Sequence, residues 1–495
     1  MTLKPNPNPK KMRPYDVAPK PRRTLIPGGV DSAATGFFVA AAVWLAIAVG
    51  IGLLAIGIRI IPFEVSFGLG VFDLSFELNV RRVDAAFVNA TVYGWLTNAG
   101  FAAIAFMTPR LLGRRLAGER LVNVAMVIWN LSLAGGVAGL YVFDLGPHAA
   151  LTAMLWLFDG GLATGALVVT GSFLATAGAA IRSGYVSTWF AGIALLALLG
   201  LVGLNATLGL LELFVDLPEL TVALASVFVE RAIITLWLLG MAYATLHYVV
   251  PRATGQPLAS NGLAMLTWVT WLALAPVSAL ATLQDPSVPY VFTILGAVAT
   301  MLLLVPAVLA VVNLVQSIQG RWSLLFGQGT LAFAAVSLAF LLATALLEGI
   351  GALRLVDARV GGTDWERGVF LWATYGTFTL AAFALAEHAL PRILRRAWGG
   401  GMLSSAQLWL TFGGATIAGL ALMGGGLAEG SLRAAGTTGE ALDAALVVYR
   451  VAGFAGFVLV ALGGLALLVS IFVMYTAGEP AEYVVSGQAA PATGH

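Results

Sequence analysis

The 495-residue chain has no cysteine, only four histidines (His148, His247, His388 and His495) and few charges. Without cysteine, disulfides, iron-sulfur clusters, thiolate catalysis and cysteine-attached haem c are excluded from this chain. Only 10% of residues are charged, against roughly 25% in soluble domains, while 59% are hydrophobic. With a mean hydropathy of +0.92, the apolar residues exceed what one buried core can hold, and repeated stretches of about 20 residues must meet lipid. A water-soluble globule is excluded; the chain is a polytopic membrane protein. Lysine is confined to Lys4, Lys10, Lys11 and Lys20, and the net charge of +2 is too small to argue for nucleic acid. No Gly-rich phosphate loop, nucleophilic triad or metal-ligand spacing occurs in the links.

Apolar runs of spanning length cover residues 34–61, 84–108, 121–143, 149–180, 189–214, 221–250, 260–283, 290–318, 324–351, 367–391, 404–427 and 448–474. Twelve transmembrane helices are therefore expected. They form one membrane domain over residues 33–476, after a basic, Pro-rich segment (1–32) and before a small, polar tail (477–495). The first run is too long for a signal-peptide core and is read as a retained helix. The even-numbered links carry Arg110, Arg114, Arg115 and Arg120, then Arg182, Arg252, Arg321, and Arg392, Arg395 and Arg396. The links between helices 3 and 4, 5 and 6, and 7 and 8 carry no Arg or Lys. The positive-inside rule thus places both termini of this multi-pass protein in the cytoplasm.

Three helices end alike: Met107-Thr-Pro-Arg110, Val249-Val-Pro-Arg252 and Ala389-Leu-Pro-Arg392. Pro-Arg is a good helix stop at headgroup level. Its recurrence after 142 and 140 residues, each period holding four helices, nevertheless predicts three four-helix units with helices 2, 6 and 10 equivalent.

That arrangement resembles subunit I of the haem-copper oxidase superfamily, most closely the C-family (cbb-type) cytochrome c oxidases and the nitric oxide reductases. Several segments agree in order: Tyr185-Val-Ser-Thr-Trp-Phe190, Val250-Pro-Arg-Ala-Thr-Gly-Gln-Pro257, Pro306 with Asn313, Gly320 and Trp322, Glu348-Gly349, Gly362-Thr-Asp-Trp365, and Tyr449-Arg450-Val-Ala-Gly-Phe454. The resemblance implies an all-α pseudo-threefold fold in a bacterial inner membrane. It also implies two haems and a copper or iron held by six histidines, and partner subunits such as membrane-anchored cytochrome c or cupredoxin-like proteins.

The ligand positions depart from the family. The haem positions fall on Phe87, Val369 and Leu371, and the metal positions on Arg231 (or its neighbour Glu230), Ala281 and Thr282. Four histidines cannot supply six ligands in any register, and haem iron needs an axial His, Met, Cys or Tyr. His148 lies in an outer link and His495 in the tail, while His247 and His388 stand beside the Pro-Arg stops, away from the face where the family's haems sit. Phe87, Val369 and Leu371 are expected to fill the haem cavity. No haem or metal is expected in this chain.

Intramembrane charges are costly and often functional. Asp84, Asp159, Glu230, Arg231 and Glu348 form a possible charge network, in which Glu230-Arg231 is either an ion pair replacing the metal site, with a partner such as Asp84, or a water-exposed pair. Glu387 with His388 is a possible protonatable couple. Trp365, Trp372 and Tyr375 read as core or interface aromatics. The functional expectation is a non-catalytic structural or assembly subunit of a membrane electron-transfer complex. The alternatives are a catalytic subunit I of a cytochrome c oxidase or nitric oxide reductase, and a proton or solute conduit.

Overall fold

The computed structural model describes residues 29–68, 75–398 and 400–480. Its long helices, numbered in chain order, are α1 (Ser32–Ile60), α2 (80–112), α3 (Glu119–Gly139), α4 (Trp156–Ile181), α5 (Val186–Leu211), α6 (Glu219–Thr254), α7 (Asn261–Thr282), α8 (Tyr290–Ile318), α9 (Gly329–Gly351), α10 (Asp364–Leu394), α11 (Gly401–Ala434) and α12 (Glu440–Ala477). All except α2 are long and apolar enough to cross a membrane. Helix α2 falls short in apolarity because it carries Arg81, Arg82, Asp84, Asn89 and Asn98. It tolerates them because it is an inner helix whose polar groups have protein partners. Asn89 donates to the carbonyls of Ala85 and Ala150, and Asn98 to Gly94 and to Asn130.

Local signals set the helix ends. The side chains of Asn79, Ser260 and Thr363 accept from backbone N–H groups in the first turns of α2, α7 and α10, which satisfies donors no helix can satisfy itself. At the other ends of α2 and α6, Gly113 (φ 64°) and Gly255 (φ 66°) cap in the left-handed region, where glycine carries no Cβ penalty. In α10 the equivalent cap is Arg395, also left-handed at φ 53°.

The repeat recurs inside the same three helices. Each contains a π-helical turn (Ala90–Leu96, Ile233–Leu238, Trp372–Phe378) followed by a 16-residue α-segment that holds the Pro-Arg pair. Outer helices lock onto two of these turns in equivalent ways: Trp129 of α3 donates to the Tyr93 carbonyl at 3.1 Å, and Trp271 of α7 to the Thr235 carbonyl at 2.9 Å. Inner helices are tied to one another by Trp95 donating to Thr379 and Trp237 to Thr97, both at 2.8 Å.

Two expectations need correction, and one link holds structure that the apolar runs did not indicate. The run at 149–180 is not all helix: α4 begins at Trp156, because 150–152 form a 3₁₀ turn whose Leu151 N–H is held by the Glu230 carboxylate at 3.0 Å. The last helix begins at Glu440 rather than 448. The link between α1 and α2 holds an antiparallel pair, β1 (Val65–Gly68) and β2 (Ser75–Leu78). Its ring stack, Phe67 on Phe76 and Phe76 on Tyr141, runs at 5.0 and 5.5 Å.

Candidate functional site

At the end of the bundle opposite the Pro-Arg stops, a cleft of about 1590 Å³ opens among α1, α2, α6, the end of α7, α8, α9, α10, α11 and the short helix Arg354–Val360. All six positions assigned to the family's ligands line it: Phe87, Arg231, Ala281, Thr282, Val369 and Leu371. Residues as far apart in the chain as Phe87 and Leu371, assigned from the family resemblance, thus line one space. The expectation that Phe87, Val369 and Leu371 fill the cavity is corrected. These side chains are themselves buried, Phe87 stacking on Tyr375 and meeting Phe370 and Phe457 edge-on, but three side chains cannot close a space larger than a typical ligand pocket of about 300–1,000 Å³.

Charge is concentrated on the cleft walls. Arg231 Nη2 donates to Glu348 Oε2 at 2.5 Å, and both side chains are largely buried. Asp84 accepts from Arg59 and, at 3.3 Å, from Arg367. Arg367 also reaches Asp364 at 2.6 Å, Asp364 meets Arg450 at 3.3 Å, and Arg450 meets Asp443 at 3.0 Å. The result is an alternating chain Arg59, Asp84, Arg367, Asp364, Arg450, Asp443 that ties the end of α1 to the starts of α2, α10 and α12. Each charge has an opposite neighbour, which a low-dielectric setting demands. At the rim the Arg354 guanidinium stands 5.5 Å from the Tyr290 ring centroid. Two bonds from Ser287 hold the Asp285 carboxyl below the usual carboxylate range.

The five charges expected to form one network separate. Arg231 pairs with Glu348 and not with Asp84, because Glu348 on α9 faces it across the cleft. Glu230, also on the cleft wall, accepts instead from the Leu151 N–H. Asp159 is bonded by Asn205 within the α4–α5 pair. Asp84 belongs to a chain whose other members, Arg59, Arg367, Asp364, Arg450 and Asp443, the sequence reading missed. The signal available for them was their clustering at the ends of apolar runs on one side of the membrane. Glu387 and His388 do not form a couple: Glu387 accepts from Ser404 at 2.6 Å, whereas the His388 ring packs on Phe106 and Tyr248. Tyr375 is core, hydrogen-bonded to Thr91 at 3.0 Å. Trp372 donates to the Ala415 carbonyl at 3.0 Å, and Trp365 borders the cleft.

Residues 32–467 match the family described as cytochrome c and quinol oxidase polypeptide I. The chain belongs to that family. Among relatives of this family member is the cbb3-type cytochrome c oxidase subunit CcoN1 of Stutzerimonas stutzeri, 24% identical over 253 residues, which are 50% of this chain and 53% of that protein. The matched stretch thus spans about half of the curated relative's length. A solved haem-copper terminal oxidase dimer superposes with a TM-score of 0.75 at 15% identity, covering 92% of this chain and 86% of that one; this likeness shows the fold. The family implies haem and copper, and the cleft lining does not fit them. Its side chains at the ligand positions are Phe, Val, Leu, Arg, Ala and Thr. The three described histidines lie elsewhere: His148 contacts Glu212 and Ser226, His247 is bonded to the Tyr243 carbonyl, and His388 packs at the Pro-Arg end. Among the described residues no group of three or more His, Asp or Glu is placed to hold a metal ion. His495 lies outside the described residues.

Proposed function

We propose that this family member is a structural or assembly subunit of a bacterial inner-membrane electron-transfer complex and holds neither haem nor copper itself. The observation that carries the reading is the composition of the cleft: Phe87, Arg231, Ala281, Thr282, Val369 and Leu371, the positions assigned to ligands from the sequence, all line it without a histidine, and Arg231 is paired with Glu348. None of the six assigned positions carries a His, Met, Cys or Tyr to hold haem iron, and the cleft lining offers copper no imidazole. Both termini are cytoplasmic in this reading. Redox groups sit on partner subunits, membrane-anchored cytochrome c or cupredoxin-like proteins docking on the outer face.

A native pull-down of the tagged full chain from its own membranes tests the role. Stoichiometric recovery of haem- or copper-bearing subunits is expected. Recovery of the chain alone, with proton flux in liposomes that Glu230→Gln abolishes, would replace it with the conduit reading. That second reading has one specific observation behind it: Asp84, Glu230, Glu348 and Glu366 all line the same cleft.

A further inference from the structure

At its cleft end helix α8 carries two apolar stripes. One, Val291, Leu295 and Leu302, is exposed and lies off the cleft. The other, Tyr290, Ile294, Val298 and Met301, lines the cleft and is itself 54, 45, 46 and 39% exposed. The cleft wall therefore runs on into the membrane-facing surface of α8 without a polar boundary. On one side the gap is shut by α7, where Gly296 is pressed on the backbone of Leu280 and Ala281 so closely that no Cβ would fit. At its foot it is shut by α9, where a Cβ on Gly349 would stand 3.4 Å from Met301 Cα. Between these two contacts and the short helix Arg354–Val360, α8 leaves a lateral portal whose far side is Leu347, Gly351 and Leu353.

From Tyr290 to Met301 the portal wall descends about 16 Å of helix at 1.5 Å per residue, which matches the half-thickness, about 15 Å, of a bilayer's hydrocarbon core. Charges of both signs stand at its mouth. Arg354 makes no ion pair among the described residues and lies 5.5 Å from the Tyr290 ring centroid. Asp285 is bonded by Ser287, and Asp357 accepts from Gln284 Nε2 at 3.4 Å, neither meeting a cation among the described residues. All three line the cleft. We propose that the cleft admits one glycerophospholipid from the adjoining leaflet, an acyl chain lying against α8 and a zwitterionic phosphoethanolamine headgroup held at the mouth, its phosphate on Arg354 and its ammonium on Asp285 and Asp357. Guanidinium matches phosphate oxygens in geometry and charge, and two carboxylates against one guanidinium disfavour an anionic headgroup. An apolar wall of this length, open to the membrane, is stabilised by hydrocarbon rather than by water. The inference rests on the reading that this cleft holds no haem.

The test is native mass spectrometry of the full chain released from nanodiscs of equimolar phosphatidylethanolamine and phosphatidylglycerol. One retained phosphatidylethanolamine per chain is expected. Ala297→Trp, which puts an indole on the cleft-facing side of α8, should abolish retention. Asp285→Asn/Asp357→Asn, which leaves Arg354 in place, should shift the retained ratio about fivefold or more toward phosphatidylglycerol. Thermal unfolding of each variant confirms that it is folded. No retained lipid, equal retention of the two lipids by the unaltered chain, a quinone recovered in their place, or undiminished retention in folded Ala297→Trp would overturn the proposal. An absorption spectrum of the same sample separates the two readings: stoichiometric haem would overturn both, whereas haem-free chains without lipid overturn this one alone.

Discussion

The same three helices, α2, α6 and α10, build both ends of this molecule, and the ends differ. Toward the Pro-Arg stops they are close-packed around Phe106, Tyr248 and His388, with the repeat visible residue by residue in rings, prolines, arginines and left-handed caps. Beyond the π-turns they splay around a cleft of about 1590 Å³ whose walls carry paired charges. The packed end is a requirement of any such bundle, since inner helices with small voids lose dispersion contacts outright. The open end has the space expected of a ligand cavity in this family, with side chains that do not ligate. The difference separates the half of the bundle that the repeat packs tightly from the half that holds the cleft.

That contrast can be broken by mutation. Phe106→Ala, at the packed end, is expected to lower stability by about 3–5 kcal/mol, whereas Leu371→Ala, buried but bordering the cleft, should cost about 2 kcal/mol, the low end for a buried leucine. Thermal unfolding in one detergent compares the two, and equal losses would mean that the cleft end is packed in solution. Next in size, Glu348→Ala should cost about 3 kcal/mol by stranding Arg231, while Arg231→Met/Glu348→Leu should be near neutral. A double-mutant cycle reads this, and additive losses would show that the pair is not coupled. A smaller change of opposite sign is expected at the third repeat's cap. Arg395→Gly should raise stability by about 1 kcal/mol, because Gly113 and Gly255 already occupy the equivalent left-handed positions. Smallest of all, Asp443→Asn should shift stability by no more than about 0.5 kcal/mol, its carboxylate being exposed at the end of the charge chain.

Much of this architecture was legible in the sequence. Helix positions followed from apolar runs, and Pro109, Pro251 and Pro391 gave the repeat. Phe87, Val369 and Arg231, assigned from the family resemblance, line one space, although the resemblance could not tell that the space stays open. Side-chain volume at three positions does not reveal how far apart the backbones stand. Charge partners were illegible for a related reason. Arg231 meets Glu348 across 117 residues and Asp84 meets Arg367 across 283, so pairing depends on helix rotation, which composition does not encode. The π-turns were hidden because a one-residue slip in hydrogen bonding leaves no compositional mark. The β1–β2 pair was lost in a link judged only by its charge, although the alternation in Ser75-Phe-Glu-Leu78 was a usable signal.

The central claim is that a haem-copper oxidase subunit I fold persists here without its redox centre. A pyridine haemochrome spectrum with metal analysis, on the full chain purified from its native membrane and separated from partner subunits, tests it most directly. Haem b and copper far below one per chain are expected; stoichiometric haem b with copper or iron would contradict the claim.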